Sequence, residues 1–435
     1  MIQDIYNQCV RCGLCLPTCP TYLETMTETS GPRGRISLIK AVDEGRLGVL
    51  SPGFVHQMSE CLDCRACEAV CPSGVQYGQL VEDARAKIAA ASAPDASPKS
   101  AFVRRFILGA LFNTASYLRF AASILRFYQR SGLQTAARAS GLLRVLGLVR
   151  LEAQAPTISD QFFVPRDQRF EVPSAKLVAF LHAGCIMQVA FASVNETTVR
   201  VLNRAGCTVT VPSGQGCCGA LAIHAGEPDQ TRVLAKRNID AFEKSGADFY
   251  VVNAAGCGSA LKEYRELFAE DPDWAARAAA FSERVRDVTE LLDRVGVGVN
   301  LGPLEVHATY QEPCHLAHAQ RITAQPRRLL AKIPGLRLTE MNESAVCCGS
   351  AGIYNLTQPQ MAARLQTRKI DNTLATGADV VVTANPGCAL QLATGLRARG
   401  SAMKVKHIVE LLDEAGAQIE AGSRALSAKA SAKLP

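Results

Sequence analysis

At 435 residues the chain is long enough for about three domains, and a hydrophobic fraction of 48% is ample for buried cores. It carries 17 cysteines, and its start, MIQDIYNQC, lacks the basic and apolar regions of an export signal; this argues against a disulfide scaffold and for metal-binding thiols in a reducing cytoplasm. No apolar run reaches the roughly 18 residues of a membrane span, and a net charge of +7 without a nucleic-acid-binding motif excludes nucleic acid as the expected partner.

The first 71 residues hold two identical runs. Cys9, Cys12, Cys15 and Cys19 form C-x2-C-x2-C-x3-C followed by Pro20, and Cys61, Cys64, Cys67 and Cys71 repeat it before Pro72. In this bacterial ferredoxin pattern three cysteines of one run hold a cluster and the fourth serves the other cluster. The expected sets are therefore Cys9, Cys12, Cys15 and Cys71 for one [4Fe–4S] cluster, and Cys61, Cys64, Cys67 and Cys19 for a second. Zinc also takes four thiolates, but zinc ribbons pair two C-x2-C knuckles without the x3-C-P extension. Between the runs, Gly31, Pro32 and Gly34 suggest a turn before a helix from about Ile36, with Arg33 and Arg35 placed to screen cluster charge or to meet a partner.

After a small-residue linker at 91–98, the stretch 101–151 has eight arginines and no Asp or Glu. Phe106, Leu118, Phe120, Ile124 and Phe127 are among its apolar residues, spaced three and four apart as in amphipathic helices. Such helices either lie on an anionic membrane surface or dock on a neighbouring unit with their arginines exposed.

From about Lys176 the chain repeats itself. Cys185, Cys217-Cys218-Gly219 and Cys257 return as Cys314, Cys347-Cys348-Gly349 and Cys388, at offsets of 129, 130 and 131 residues. Each copy alternates short apolar runs, such as CTVTVP (207–212) and ADVVVTA (378–384), with helical periodicity, which predicts parallel βαβ units. The cysteines follow the strands, so each set should converge at the carboxyl edge of its sheet. Each offers four thiols: Cys185, Cys217, Cys218 and Cys257 in the first copy, Cys314, Cys347, Cys348 and Cys388 in the second. A further iron–sulfur cluster, zinc, a redox thiol pair or purely structural cysteines all fit these residues. Cys207, inside a predicted strand, is expected in the core. His315 and His318 flank Cys314 and are open to metal, proton-carrying or structural roles, while His182, His224 and His407 carry no signal in the sequence.

The two copies resemble the cysteine-rich (CCG) domain of heterodisulfide reductase subunits. That family often ends in C-x-x-C; here Ala260 and Gln391 stand at the last position. The whole arrangement resembles the iron–sulfur subunit of glycolate oxidase, most specifically in QCVRCGLCLPTCPTY (8–22), GPRGRISLIK (31–40), ECLDCRACEAVCPSGVQYG (60–78) and NAAGCGSALKEY (253–264). The resemblance implies an electron-transfer subunit of a cytoplasmic complex, peripheral on the inner face of the cell membrane. FAD-binding partner subunits would oxidise glycolate to glyoxylate, with a quinone or another respiratory acceptor downstream. Consistent with this division, no G-x-G-x-x-G opens a strand–turn–helix unit, so no flavin is expected on this chain. Equivalent subunits of D-lactate or anaerobic glycerol-3-phosphate dehydrogenases share these ligands, and a disulfide reductase remains a second reading. The expected fold is multidomain: a helical 2[4Fe–4S] ferredoxin-like unit (1–92), a linker with basic amphipathic helices (93–165), two α/β cysteine-rich repeats (166–298 and 299–420) and a disordered tail (421–435).

Overall fold

A computed structural model describes residues 2–92, 114–297 and 301–418. The expected tail, and the linker as far as residue 113, lie outside the described residues. The N-terminal unit is helical: α1 (Ile2–Asn7), α2 (Pro20–Thr25), α3 (Pro32–Asp43), α4 (Pro52–Glu60), α5 (Ala66–Ala69) and α6 (Tyr77–Ser92). Three of these helices begin on proline, whose fixed φ suits the first helical turn and whose missing N–H costs nothing there. Ile5, Tyr6, Ile39, Phe54, Met58, Leu80 and Val81 form its core.

The helix expected from Ile36 begins four residues earlier, at Pro32, with Gly31 as its cap. Gly34 lies inside the helix because the preceding turn, Glu28–Ser30, packs directly on it; a Cβ there would strike the carbonyl of Glu28. The signal read as a turn was a close backbone approach.

Next comes α7 (Ala115–Arg130), which buries Leu118 and Ala122 against Ile158 and Val189. Arg126 lies over the ring of Phe162, 4.7 Å from its centroid, and donates to the carbonyls of Ser159 and Asp160. The opposite stripe, Tyr117, Phe120, Ile124 and Phe127, is exposed. One apolar face of the helix therefore docks on the neighbouring unit, while another faces outward.

Among the described residues nine strands form two sheets. The first comprises β1 (Gln168–Phe170), β2 (Leu177–Leu181), β3 (Cys207–Val211), β4 (Phe249–Val252) and β5 (Val285–Asp287), in the order β1-β3-β2-β4-β5. The second comprises β6 (His307–Tyr310), β7 (Arg337–Glu340), β8 (Val380–Thr383) and β9 (Lys404–His407), in the order β7-β6-β8-β9. All pairings are parallel except β1 with β3. The parallel core strands are buried on both faces, which explains their continuous β-branched runs. Without β1 the two orders superimpose, as the duplication requires. After their last cysteine the copies diverge further, where helix Ala275–Arg284 of the first has no counterpart among the described residues of the second.

The crossovers carry the main helices: α8 (Ala192–Arg204), α9 (Pro228–Ser245), α10 (Ala255–Lys262) and α11 (Val288–Val295), then α12 (Ala324–Ala331), α13 (Pro359–Leu374) and α14 (Pro386–Ala398). One apolar core spans both repeats, joining Val251, Leu291 and Leu292 to Leu329, Leu330, Val382 and Leu411. Cys207 is fully buried in that core, as expected.

Candidate metal centres

The two ferredoxin-type runs fold into the same backbone shape. The second cysteine of each is flanked by left-handed residues: Arg11 (φ 57°) and Gly13 (φ 85°) in the first, Asp63 (φ 52°) and Arg65 (φ 60°) in the second. This geometry turns successive thiols to one side. Two cavities result. One is lined by Cys9, Cys12, Cys15 and Cys71, with Cys67 on its wall. The other is lined by Cys19, Cys61, Cys64 and Cys67. Each combines three thiols of one run with the fourth of the other, and a four-sulfur donor set in a cavity fits an iron–sulfur cluster.

The cavities differ in exposure. Cys12 is exposed and Cys9, Cys15 and Cys71 are partly so, whereas Cys19, Cys61, Cys64 and Cys67 are all buried. Hydrogen bonds reach the buried sulfurs: Tyr77 Oη lies 3.6 Å and the Asp63 N–H 3.4 Å from Cys61 Sγ, and Thr21 Oγ1 is 3.3 Å from Cys19 Sγ. Burial pushes the Cys67 thiol well up, so loading metal must displace its proton. Arg35 is only 1% exposed; it donates to Thr21 Oγ1, the carbonyl of Gln57 and the Glu60 carboxylate, setting a positive charge beside Cys61 and Cys19. Arg33, two residues earlier, is half-buried at the rim of the first cavity, where it pairs with Glu28.

In the first repeat Cys185, Cys217, Cys218 and Cys257 are neighbours in series, so the four thiols do converge. Cys314, Cys347, Cys348 and Cys388 form the same series in the second. Gly219 (φ 82°) and Gly349 (φ 84°) turn the chain just after each vicinal pair, and a Cβ there would press on Thr231 or on the carbonyl of Ala362. The surroundings differ. In the second repeat the hydrogen bond from Cys347, aided by His315, holds the Cys314 thiol below its ordinary range against burial. Lys369, 1% exposed, adds positive charge near Cys348. In the first repeat the hydrogen bond to Cys217 and burial push Cys185 well up.

The centres are neighbours. Cys64 shares an apolar cluster with Cys314, Cys347 and Tyr354, and Tyr354 Oη donates to the carbonyl of Glu60 at 2.8 Å. The two repeats meet at their last cysteines: Ala255 N–H donates to the carbonyl of Ala384 at 3.1 Å. Asn385 accepts from the Gly256 N–H at 3.1 Å, while its Nδ2 lies 3.4 Å from Cys388 Sγ. At the junction of all three units, Arg65 pairs with Asp63 at 2.9 Å, Glu82 at 2.9 Å and Glu263 at 3.5 Å. His224 lies 3.1 Å from Asp63, and its ring lies tilted beside that of His315 with centroids 5.4 Å apart. His318 Nε2 is 3.1 Å from the carbonyl of Ala345, a structural contact.

Sequence reasoning missed four residues beside these centres: His182, His224, Lys369 and Asn385. Their position in the sequence offers no motif. His182 and Asn385 follow strands, whereas Lys369 lies within α13 and His224 ends the short helix Ala220–His224, so only the tertiary fold brings them to these centres. His182 Nδ1 lies 2.8 Å from Tyr250 Oη, and burial pushes its imidazole down to about 4, holding it neutral. Its side chain and those of Cys218 and Cys257 form one compact donor group.

Known families match this layout unit by unit. Residues 5–75 match the 4Fe-4S dicluster domain, residues 99–155 the glycolate oxidase iron-sulfur subunit linker region, and residues 179–262 and 308–393 the cysteine-rich domain. The chain is 42% identical over 418 residues to a probable glycolate oxidase iron-sulfur subunit of Bacillus subtilis (strain 168), covering 94% of this chain and 93% of the relative. It is 31% identical to the glycolate oxidase iron-sulfur subunit of Escherichia coli (strain K12), with 95% of each covered. Lactate utilization protein A of Shouchella clausii (strain KSM-K16) is 33% identical, but that match covers 54% of this chain and 97% of the relative. Since the full-length matches span the dicluster unit, the linker and both repeats together, the chain belongs to the family of glycolate oxidase iron–sulfur subunits, an oxidoreductase family.

Proposed function

We propose that this chain carries electrons within a glycolate oxidase complex, from an FAD-binding partner subunit that oxidises glycolate to glyoxylate towards a quinone or another acceptor. The observation that carries the reading is the pair of ferredoxin-type cavities, one open to solvent and one sealed beside the cysteine-rich repeats. Cys9, Cys12, Cys15 and Cys71 would hold one [4Fe–4S] cluster, and Cys19, Cys61, Cys64 and Cys67 a second. The remaining thiols would hold a metal centre in each repeat. When bound, such clusters supply single-electron transfer. The protein's own part is to hold the thiols, seal the second ferredoxin-type centre and that of the second repeat from water, and offer the exposed one to a partner. Exposed Val10 and Leu14 flank Cys9 and Cys12 and form an apolar rim suited to a docking flavoprotein.

The proposed division keeps residues 1–92 for the ferredoxin-type unit, 93–165 for the linker, and 166–298 and 299–420 for the repeats. Among the described residues no helix is long and apolar enough to cross a membrane. Attachment to the inner face of the cell membrane would instead use the exposed aromatic stripe of α7, which lies in an arginine-rich stretch without acidic residues.

The test is to purify the tagged chain anaerobically with its co-purifying partners and add glycolate. Bleaching of the broad visible cluster absorbance by glycolate, and not by glycerol 3-phosphate, is the expected result. Faster bleaching by D-lactate would favour the second reading, a lactate-oxidising complex, which the half-length similarity to lactate utilization protein A supports. No bleaching by any of these, with flavoprotein present, would overturn the assignment in favour of disulfide reduction.

A further inference from the structure

The two cysteine-rich repeats duplicate their thiols but not the groups behind them. His182 stands three residues before Cys185, at the carboxyl end of β2; the residue at that place in the second repeat is Gln311, three before Cys314. A ring nitrogen of His182 and the sulfurs of Cys218 and Cys257 all lie within 4.8 Å of one another. A tetrahedral ion with ordinary metal–nitrogen and metal–sulfur bonds separates such donors by about 3.5 Å. A modest contraction would therefore close the set around one ion.

The surroundings of His182 set its tautomer. Asn238 Nδ2 donates to the carbonyl of Cys217 at 3.0 Å, and Asn238 Oδ1 accepts from the Gly216 N–H at 2.8 Å, which fixes the amide's orientation. The Tyr250 hydroxyl therefore donates to Asn238 Oδ1, at 3.4 Å, and accepts from the Nδ1–H of His182 at 2.8 Å. With its proton on Nδ1, the ring presents a lone pair at Nε2. That nitrogen is buried and has no hydrogen-bond partner among the described residues. Metal-bound histidines have this arrangement: one nitrogen free for the metal, the other N–H held by a fixed acceptor.

The second repeat has none of these groups at the corresponding positions; its own imidazole, His315, instead follows Cys314 and sets Nδ1 3.8 Å from that sulfur. Val381 replaces Tyr250 and Lys369 replaces Asn238. Gln311 uses both its polar atoms locally, accepting from Thr383 Oγ1 and donating to the carbonyl of Glu312, each at 2.7 Å.

We propose that His182 is a metal ligand of the first cysteine-rich repeat, which binds a transition-metal centre through imidazole and thiolates, whereas the second repeat offers no imidazole at the corresponding place. The inference rests on the reading that both repeats hold metal. Its consequence is a difference in charge. A neutral imidazole leaves the first centre less negative than a thiolate would, which raises a cluster's reduction potential above that of an all-thiolate counterpart.

The test uses the full chain with its co-purified partners, prepared anaerobically from cells fed 15N-histidine or unlabelled histidine. Iron and zinc per chain are measured, pulsed electron paramagnetic resonance of the reduced sample reports any histidine nitrogen bound to cluster iron, and X-ray absorption at the zinc edge reports an imidazole bound to zinc. The expected result is metal beyond the roughly eight iron atoms of two [4Fe–4S] clusters, with one histidine nitrogen bound to it. That signature should disappear in His182→Gln and persist in His315→Gln; the reverse pattern would overturn the proposal. His182→Cys should retain the metal with an all-sulfur signature. Extra metal without any histidine nitrogen in the wild-type protein would overturn the proposal and leave metal binding by the repeats standing. No metal beyond the ferredoxin-type complement would overturn both. Because the labelled wild-type protein decides the outcome, a variant that fails to fold does not blunt the test.

Discussion

The two ferredoxin-type runs share ligand spacing and backbone shape yet occupy opposite environments. The first leaves Cys12 in solvent; the second buries Cys61, Cys64 and Cys67. After its second cysteine the first run uses Gly13, which takes a left-handed φ at no steric cost. The second run puts Arg65 there, a residue type that pays about 1 kcal/mol or more for that conformation, while Arg11 and Asp63 take the left-handed place before the second cysteine in the two runs alike. The compensation is a buried ion-pair cluster in which Arg65 meets Asp63 and Glu82 of its own unit and Glu263 of the first repeat. The spacing of the cysteines makes the cradle; the layer outside it decides whether the cradle is a surface or a junction.

The largest effect expected from this difference is at Arg65. Arg65→Ala removes from Asp63 (1% exposed) and its neighbouring carboxylates their main counter-charge, leaving only Arg85 and His224 nearby, and breaking a buried pair from one side costs roughly 3–5 kcal/mol. Arg11→Ala, at the corresponding exposed turn of the first run, should stay within about 0.5 kcal/mol. Anaerobic urea unfolding followed by cluster absorbance measures both. Equal shifts in the two variants would break the comparison.

His224 belongs to the same junction. Burial pulls its imidazole down, but the hydrogen bonds and charges of Asp63 and Glu82 outweigh burial and push it up to about 9. A folded-state value above the ordinary 6.5 means that the contribution is complete below pH 6.5 and is lost as the pH rises through about 9. The loss should be on the order of 3 kcal/mol between pH 6.5 and 10. Urea midpoints across that range should fall in the wild-type protein and fall less in His224→Gln; parallel slopes would mean that His224 does not carry the dependence.

A smaller effect separates two glycines. A Cβ at Gly78 would run into the Arg65 guanidinium, whereas at Gly13 it would lie 3.3 Å from the flexible end of Arg33. Gly78→Ala should cost about 2–3 kcal/mol through displacement of Arg65, and Gly13→Ala about 1 kcal/mol through left-handed strain alone. In the double variant Gly78→Ala/Arg65→Ala, most of the Gly78 penalty should vanish, because its obstacle is gone.

How much of this was legible depended on the range of the forces involved. Cluster ligation imposes local backbone geometry, so the C-x2-C-x2-C-x3-C spacing announced both cradles and the exchange of Cys19 and Cys71 between them. The duplication was legible because its offsets drift by only two residues across the cysteines. The inner parallel strands were legible from their apolar runs, but β1, β5 and β9, of three, three and four residues, are too short to show a period. Which run is buried was not legible. That follows from Tyr354, Met361 and Leu365 of the second repeat packing over Leu62 and Cys64, a contact between segments some 300 residues apart. His182 and Asn385 were missed for the same reason: each becomes relevant only when strand ends distant in sequence meet. In α7 the apolar period was visible, but not that Leu118 faces inward while Phe120 and Phe127 face outward, since both stripes are apolar.

The smallest expected change in stability is the most informative about function. Arg33 is an arginine at the rim of the open cavity; its guanidinium bridges Glu28 and the carbonyl of Arg11 at 3.0 Å. Arg35, two residues on, is buried against Glu60 beside the sealed cavity. Exposed ion pairs add little to stability, so Arg33→Ala should leave the urea midpoint where it was, while Arg35→Ala, which strands a buried carboxylate, should lower it clearly. If the open cavity is where the partner docks, Arg33→Ala should nonetheless slow glycolate-driven bleaching. It should also weaken the dependence of that rate on salt, because a rim charge acts chiefly on encounter. Stopped-flow absorbance at low and moderate ionic strength measures this. An unchanged rate in Arg33→Ala and in Val10→Ser/Leu14→Ser would remove the exposed run as the docking face, and the contrast between the two cradles would then be one of burial alone.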